Sequence, residues 1–126
     1  MGALSPLSRT EWTIMNLCWR LRKATARQVH QASLAERKRE YATVVTLLDR
    51  IAAKGYLAVE KVGPVKVYRP KVGRRRAVGT AVEEFVDNVL ERSIAPLYLH
   101  LSERDDLSEE EIEFFKRQLE KKEGGS

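Results

Sequence analysis

Apolar positions recur with helical spacing through the first part of the chain. Over residues 9–22, at ~100° per residue, Ile14, Met15, Cys18, Trp19 and Leu21 share one broad face, and Thr13, Asn16 and Arg20 lie opposite. Ser8, with Glu11 three residues on, forms a capping box, and Leu7 and Trp12 occupy the two staple positions, so a helix starts here. Thr25 with Gln28 repeats the box and opens a short helix over 26–35, with Val29 and Ala32 inward. The charged run Glu36–Glu40 reads as a turn. A third helix runs from about Tyr41 to Lys54, and Gly55 supplies the left-handed residue that stops it. Val44, Leu47, Leu48 and Ile51 form its buried stripe. Ala42, Thr43, Thr46, Asp49, Arg50 and Ala53 form the outward one.

After Gly55 the period drops from 3.6 to 2. Residues 56–62 and 65–70 read as short strands turning at Gly63-Pro64, with Lys61 and Lys66 flanking the turn. Gly73–Arg76 reads as a linker or the start of a helix. From Ala77 to about Leu101 the spacing predicts one long amphipathic helix. Its apolar stripe includes Val82, Phe85, Val86, Val89, Leu90, Ile94, Leu97 and Leu101 at coiled-coil-like intervals. Pro96, lacking a donor, predicts a kink or break within it. Leu107–Ile112 repeats the staple and capping box and opens a last helix to about Lys121, with Ile112, Phe115 and Leu119 inward. Gly124–Ser126 should fray.

These elements predict a mostly helical protein with a small β-hairpin: a winged helix-turn-helix domain over 1–72 and a helical dimerisation region over 73–126. The order of three helices and a hairpin carries the first part. A recognition helix must enter a major groove ~12 Å wide, and bulky side chains on its leading face would hold it off the bases. Ala42, Thr43 and Thr46 permit close approach, and Arg50 is placed to reach a phosphate or a guanine. Tyr41, at the start of that helix, either contacts a phosphate through its hydroxyl or packs on the second helix. Lys61 and Lys66 would lie on the adjacent backbone. Arg27, with Arg9, Arg37, Lys38 and Arg39, adds phosphate contacts that position without reading sequence.

Charge sharpens this picture. Residues 1–76 hold 17 Lys/Arg against 5 Asp/Glu, net +12, whereas residues 77–126 hold 6 against 13, net −7. A polyanion-binding module joined to something that avoids the polyanion would look like this; so would a domain with a solubilising helical tail. The stripe over 78–101, with Ile112 and Phe115, is better explained by pairing with a second copy than by folding back on its own domain. No run approaches the ~18 apolar residues of a bilayer span, so membrane insertion is not expected. The stretch Met1–Arg9 lacks the layout of a signal peptide, and one cysteine suits a reducing cytoplasm. One Cys and two widely spaced His cannot build a four-ligand zinc site, and no cofactor is expected.

The residues also carry a resemblance. Glu11-Trp12-Thr13-Ile14-Met15…Trp19, Ala24–Val29, Tyr41–Ile51…Lys54-Gly55-Tyr56-Leu57 and Tyr68-Arg69-Pro70 resemble the penicillinase-repressor family (BlaI/MecI/CopY type). The resemblance covers 7–70 strongly and continues more weakly to Leu107–Ile112. It implies a dimeric transcriptional repressor on a palindromic double-stranded DNA operator, with the C-terminal helices dimerising. It also implies a partner, a membrane sensor-protease that induces by cleavage in the dimerisation region. The family's Asn-Phe cleavage point falls at His100-Leu101, where this chain lacks the pair. The Cys-x-Cys tail of the copper-sensing branch is absent as well.

Competing readings remain open at this level. The outward face of the third helix also fits a solvated surface, or a winged-helix module that docks on protein without touching DNA. No nucleophile–base pair or phosphate-cradling Gly loop suggests an enzyme. Cys18 reads as a buried inert thiol, His30 and His100 as surface or minor-contact residues, Trp12 and Trp19 as core, and Tyr68 as packing the wing on the body. Arg74–Arg76 either touch flanking phosphates or keep a linker soluble.

Overall fold

Capping side chains set the helix starts. The computed structural model describes residues 4–124, with side chains through Lys121. Met1–Ala3, where the stretch read for a leader begins, and Gly125-Ser126, at the end expected to fray, lie outside them. Helix α1 (Arg9–Leu21) opens at Ser8: the Glu11 N–H donates to Ser8 Oγ at 3.2 Å, and the Ser8 N–H donates to Glu11 Oε1 at 2.8 Å. Helix α2 (Ala26–Ser33) opens on the same box made by Thr25 and Gln28. Helix α3 (Tyr41–Ala53) starts at Glu40 with no side-chain cap and stops at Gly55, whose φ of +99° only a residue without Cβ adopts freely.

The hairpin is present and carries a third strand. Strands β2 (Leu57–Val62) and β3 (Val65–Pro70) pair antiparallel from Leu57↔Pro70 to Val62↔Val65. Gly63 takes φ +64° as the first central residue of the two-residue loop, and the ring of Pro64 keeps its own φ negative, the type II′ pattern. Strand β1 (Ala24–Thr25), in the link between α1 and α2, joins β3 at Ala24↔Tyr68, so the sheet order is β1-β3-β2. Two residues are too few for an alternating pattern, and the sequence reading missed this strand.

The core lies between the three helices and the sheet. Ile14, Met15, Val29, Val44, Leu48, Ile51 and Tyr68 are fully buried. Leu21, read as inward, is exposed, and Leu17 is buried instead. The helix ends at Leu21 and the chain swings away through Arg22 at φ +69°, carrying that side chain off the core. Trp12 and Trp19 pack at 6.0 Å, and Trp19 Nε1 donates to the Val72 carbonyl at 2.9 Å. Helix α4 (Arg74–Glu84) takes in Arg74–Arg76, so of the two readings of that stretch it is a helix start. Ala77 is buried, and this first compact unit runs through Glu84.

The second unit starts at Phe85. The long helix expected over 77–101, with a kink or break at Pro96, is instead interrupted earlier, from Phe85. A π-helical turn over Phe85–Val89 widens the backbone ladder, with the Leu90 N–H donating to the Phe85 carbonyl at 3.1 Å. Glu91 and Arg92 then take φ +50° and +67°, and the chain restarts as α5 (Ala95–Ser102). Pro96 sits in the first turn of α5, where its missing N–H would have no helical partner anyway. Helix α6 (Glu109–Gly124) opens on the expected box: Ser108 and Glu111 exchange backbone-to-side-chain bonds of 3.1 Å. No described residue from Phe85 to Lys121 is buried. Among the described residues, no helix is long and apolar enough to cross a membrane.

Candidate nucleic-acid interface

Packing of Val44, Leu47, Leu48 and Ile51 into the core fixes which way α3 faces. Ala42, Thr43, Thr46 and Arg50 are therefore exposed, and with the edge of Leu47 they line a shallow, open concavity of about 340 Å³. Thr46 Oγ1 donates to the Ala42 carbonyl one turn back, at 3.1 Å. That bond occupies the hydroxyl proton and leaves the oxygen lone pairs free as acceptors. Arg50 forms no salt bridge among the described residues.

Tyr41 packs on α2. Its ring meets His30 edge-on at 5.8 Å, and the Arg27 guanidinium lies 5.9 Å from its centroid, although 46% of the residue stays exposed. His30, read as a surface or minor-contact residue, is half-buried; its Nε2 lies 2.7 Å from the Arg39 carbonyl and must carry the proton there, since a carbonyl only accepts. It ties α2 to the loop that leads into α3. Arg39 is half-buried, with Nη1 enclosed and without a partner among the described residues.

On the wing, Lys61 and Lys66 are direct cross-strand partners next to the turn, so both ammonium groups rise from one face of the hairpin. Lys66 is not wholly free: its Nζ lies 3.8 Å from Asp49 Oδ1. The same carboxylate oxygen accepts a 2.8 Å bond from the Tyr68 hydroxyl. Burial, and then that bond, push the Tyr68 phenol far above the usual tyrosine range, so it stays a donor. Sequence reasoning set Tyr68 in the wing packing and Asp49 on the outward stripe but did not join them. The available signal was an acid on a face otherwise suited to a polyanion. It also missed the bond from Lys54 to Glu11, at 2.6 Å, across 43 residues of chain. Arg74, in the stretch read as a linker or a helix start, lies in the first turn of α4, and its Nε donates to Asn16 Oδ1 at 3.1 Å. Arg75 and Arg76 are exposed beside it.

With this geometry in place, comparison with known proteins is specific. Residues 7–121 match the penicillinase repressor family. The chain belongs to that family. It is 28% identical over 116 residues to the methicillin resistance regulatory protein MecI of Mammaliicoccus sciuri, covering 92% of this chain and 94% of that protein. It is 31% identical over 127 residues to the transcriptional regulator BlaI of Mycobacterium tuberculosis (strain ATCC 25618 / H37Rv), covering 99% and 91%. The solution structure of the DNA binding domain of the repressor BlaI superposes with a TM-score of 0.53 at 26% identity, over 59% of this chain and 90% of that one. The fold of the penicillinase-repressor winged helix is thus the fold found here: mostly helical, with a small antiparallel sheet.

Proposed function

We propose that this chain is a sequence-specific transcriptional repressor that binds double-stranded DNA as a homodimer on a palindromic operator. One observation carries the reading. The solvent face of α3 presents small and hydroxyl-bearing side chains, Ala42, Thr43 and Thr46, beside an arginine without a salt bridge among the described residues, Arg50. A helix so faced can reach base edges, with Thr accepting hydrogen bonds or packing on thymine methyls and Arg50 pairing with a guanine or a phosphate. Lys61 and Lys66 on the wing, with Arg27 and Tyr41 at the entrance to α3, supply contacts that orient the domain on the backbone. The names of the relatives, regulatory protein and transcriptional regulator, and the DNA binding domain of BlaI support this reading. Nothing in it asks for catalysis or a cofactor.

The second unit supports the dimer. Phe85, Val89, Ile94, Ile112 and Phe115 are exposed there, as is Val82 of α4, and Val86, Leu90, Leu97 and Leu101 are half-exposed. Such a run of apolar surface is covered economically by a second copy, and two-fold symmetry then sets two recognition helices about one DNA turn apart. Proteolysis in this unit by a membrane sensor-protease would separate the copies and release the operator. The site of action is the cytoplasm, where DNA is and where a lone thiol such as Cys18 stays reduced.

The test is binding to duplex DNA from upstream of the chain's own gene at several salt concentrations. Log K should fall linearly with log[salt], by about 0.9 for each phosphate neutralised. A flat plot, with no nuclease footprint on any promoter, would instead favour a winged helix that docks on protein.

A further inference from the structure

Asp49 is the one acidic residue of α3, and it directly precedes Arg50. A carboxylate there would repel the phosphates of a DNA ligand, so its surroundings matter. It is absent from the lining of the concavity formed by Ala42, Thr43, Thr46, Leu47 and Arg50. Instead its Oδ1 accepts the Tyr68 hydroxyl at 2.8 Å and lies 3.8 Å from Lys66 Nζ. Tyr68 and Lys66 are two residues apart on β3 and so share a face of the strand. Tyr68 is 1% exposed in the middle strand of the sheet, which fixes where its hydroxyl emerges. Asp49 and Lys66 are about half exposed, so this link sits at the seam between recognition helix and wing.

We propose that Asp49 is a positioning residue: its bond from Tyr68 latches the wing to the recognition helix and thereby sets the protein's discrimination between DNA sequences. The proposal rests on the DNA-binding reading above. Phosphate contacts from the wing fix how α3 enters the groove, and base contacts from α3 then read the sequence. A wing that drifts against α3 still finds phosphates, so total affinity survives while the α3 side chains lose their register on the bases. The carboxylate also faces one of two like charges that β2 and β3 place opposite each other, Lys61 and Lys66, and reduces their repulsion.

The experiment compares affinities for a duplex selected by the wild-type chain from a random pool and for its scrambled counterpart, with thermal melts of each variant. Asp49→Ala and Tyr68→Phe should each cut the selected-to-scrambled ratio about fivefold, the worth of one such hydrogen bond. Asp49→Asn keeps an acceptor for the Tyr68 hydroxyl. Its ratio should stay within about twofold of wild type while its affinity for both duplexes rises, because a negative charge has gone. A wild-type ratio in folded Asp49→Ala and Tyr68→Phe overturns the latch. A ratio that falls as far in Asp49→Asn as in Asp49→Ala also overturns it, because the Tyr68 hydroxyl then still has its acceptor and the charge itself must do the reading. A wild-type chain that binds no duplex in a salt-dependent way defeats the DNA-binding reading itself, a result none of the variant ratios can mimic.

Discussion

One oxygen of Glu11 accepts both the Lys54 ammonium, at 2.6 Å, and the Ser8 N–H, at 2.8 Å. It thus joins the first turn of α1 to the residue that ends α3. The Glu11 side chain is 4% exposed and that of Lys54 30% exposed. Lys54 also donates to the Pro6 carbonyl at 3.0 Å. A cation at the C-terminal end of α3 is favoured by the helix dipole as well. The C-terminal end of α3 is therefore anchored by a charge pair to a residue 43 positions earlier in the chain.

Burial alone would raise the Glu11 carboxyl, but the bonds from Lys54 and Ser8 outweigh it and hold the group below its ordinary 4.5. A lowered folded value means that the stabilisation is fully present above the unfolded pKa and is lost as pH falls through the folded one. Glu11→Gln should cost about 1–3 kcal/mol at pH 7 in urea melts, as expected when a buried carboxylate bonded to an ammonium is replaced by a neutral acceptor. The gap between variant and wild type should begin to narrow below pH 4.5 and close as pH falls through the lowered folded value. A gap that does not narrow at all as pH falls below 4.5 would show that the ionised carboxylate contributes nothing.

On the exposed face of α3, Thr46→Val and Arg50→Ala should each cost on the order of 1–3 kcal/mol on a specific duplex if they read bases. Thr46→Val keeps the shape and removes the acceptor lone pairs left free by the bond to the Ala42 carbonyl. Both side chains are exposed, so melting temperatures should move little. Normal binding by both variants would displace the reading surface from this face of α3.

Local signals made most of the winged domain legible. The capping boxes at Ser8, Thr25 and Ser108 are each visible as a residue pair three apart, and each forms as expected. The α3 wheel was legible because Val44, Leu47, Leu48 and Ile51 obey one period. What escaped has no period. Ala24-Thr25 pairs with β3 across more than 40 residues, and Asp49 meets Tyr68 across 19. The break after Phe85 was misplaced to Pro96 because proline is the strongest local breaker in view. Glu91 and Arg92, in the left-handed region at the break, belong to residue types that carry no turn signature.

Burial alone pushes the Cys18 thiol up to about 12, so almost no thiolate exists at neutral pH. A disulfide reagent such as DTNB should label native protein no faster than global unfolding exposes the site. Labelling should become immediate in denaturant. Rapid reaction of the native chain at pH 7 would mean that the α1 face opens locally.

Pro96 offers a direct check on where the second unit is broken. Within a continuous helix, Pro96→Ala would restore a hydrogen bond and stabilise by about 3 kcal/mol. In the first turn of α5 the same change should stay within about 0.5 kcal/mol. Urea melts of the full chain separate these outcomes, and a large gain would restore the long helix.

Arg74, Arg75 and Arg76 fill the first turn of α4, where the helix dipole disfavours cations. Arg74 is engaged by Asn16, but Arg75 is exposed. Arg75→Glu should therefore stabilise the fold by about 0.5–1 kcal/mol, raising the melting temperature by about 2–4 °C. If Arg75 neutralises a phosphate, the same change should weaken all duplexes alike and lower the slope of log K against log[salt] by about 0.9. The two readouts move in opposite directions, as they do when an arginine is kept for a ligand at some cost to the fold. A more stable variant with an unchanged slope would assign Arg75 no phosphate, and a less stable one would refute the dipole argument.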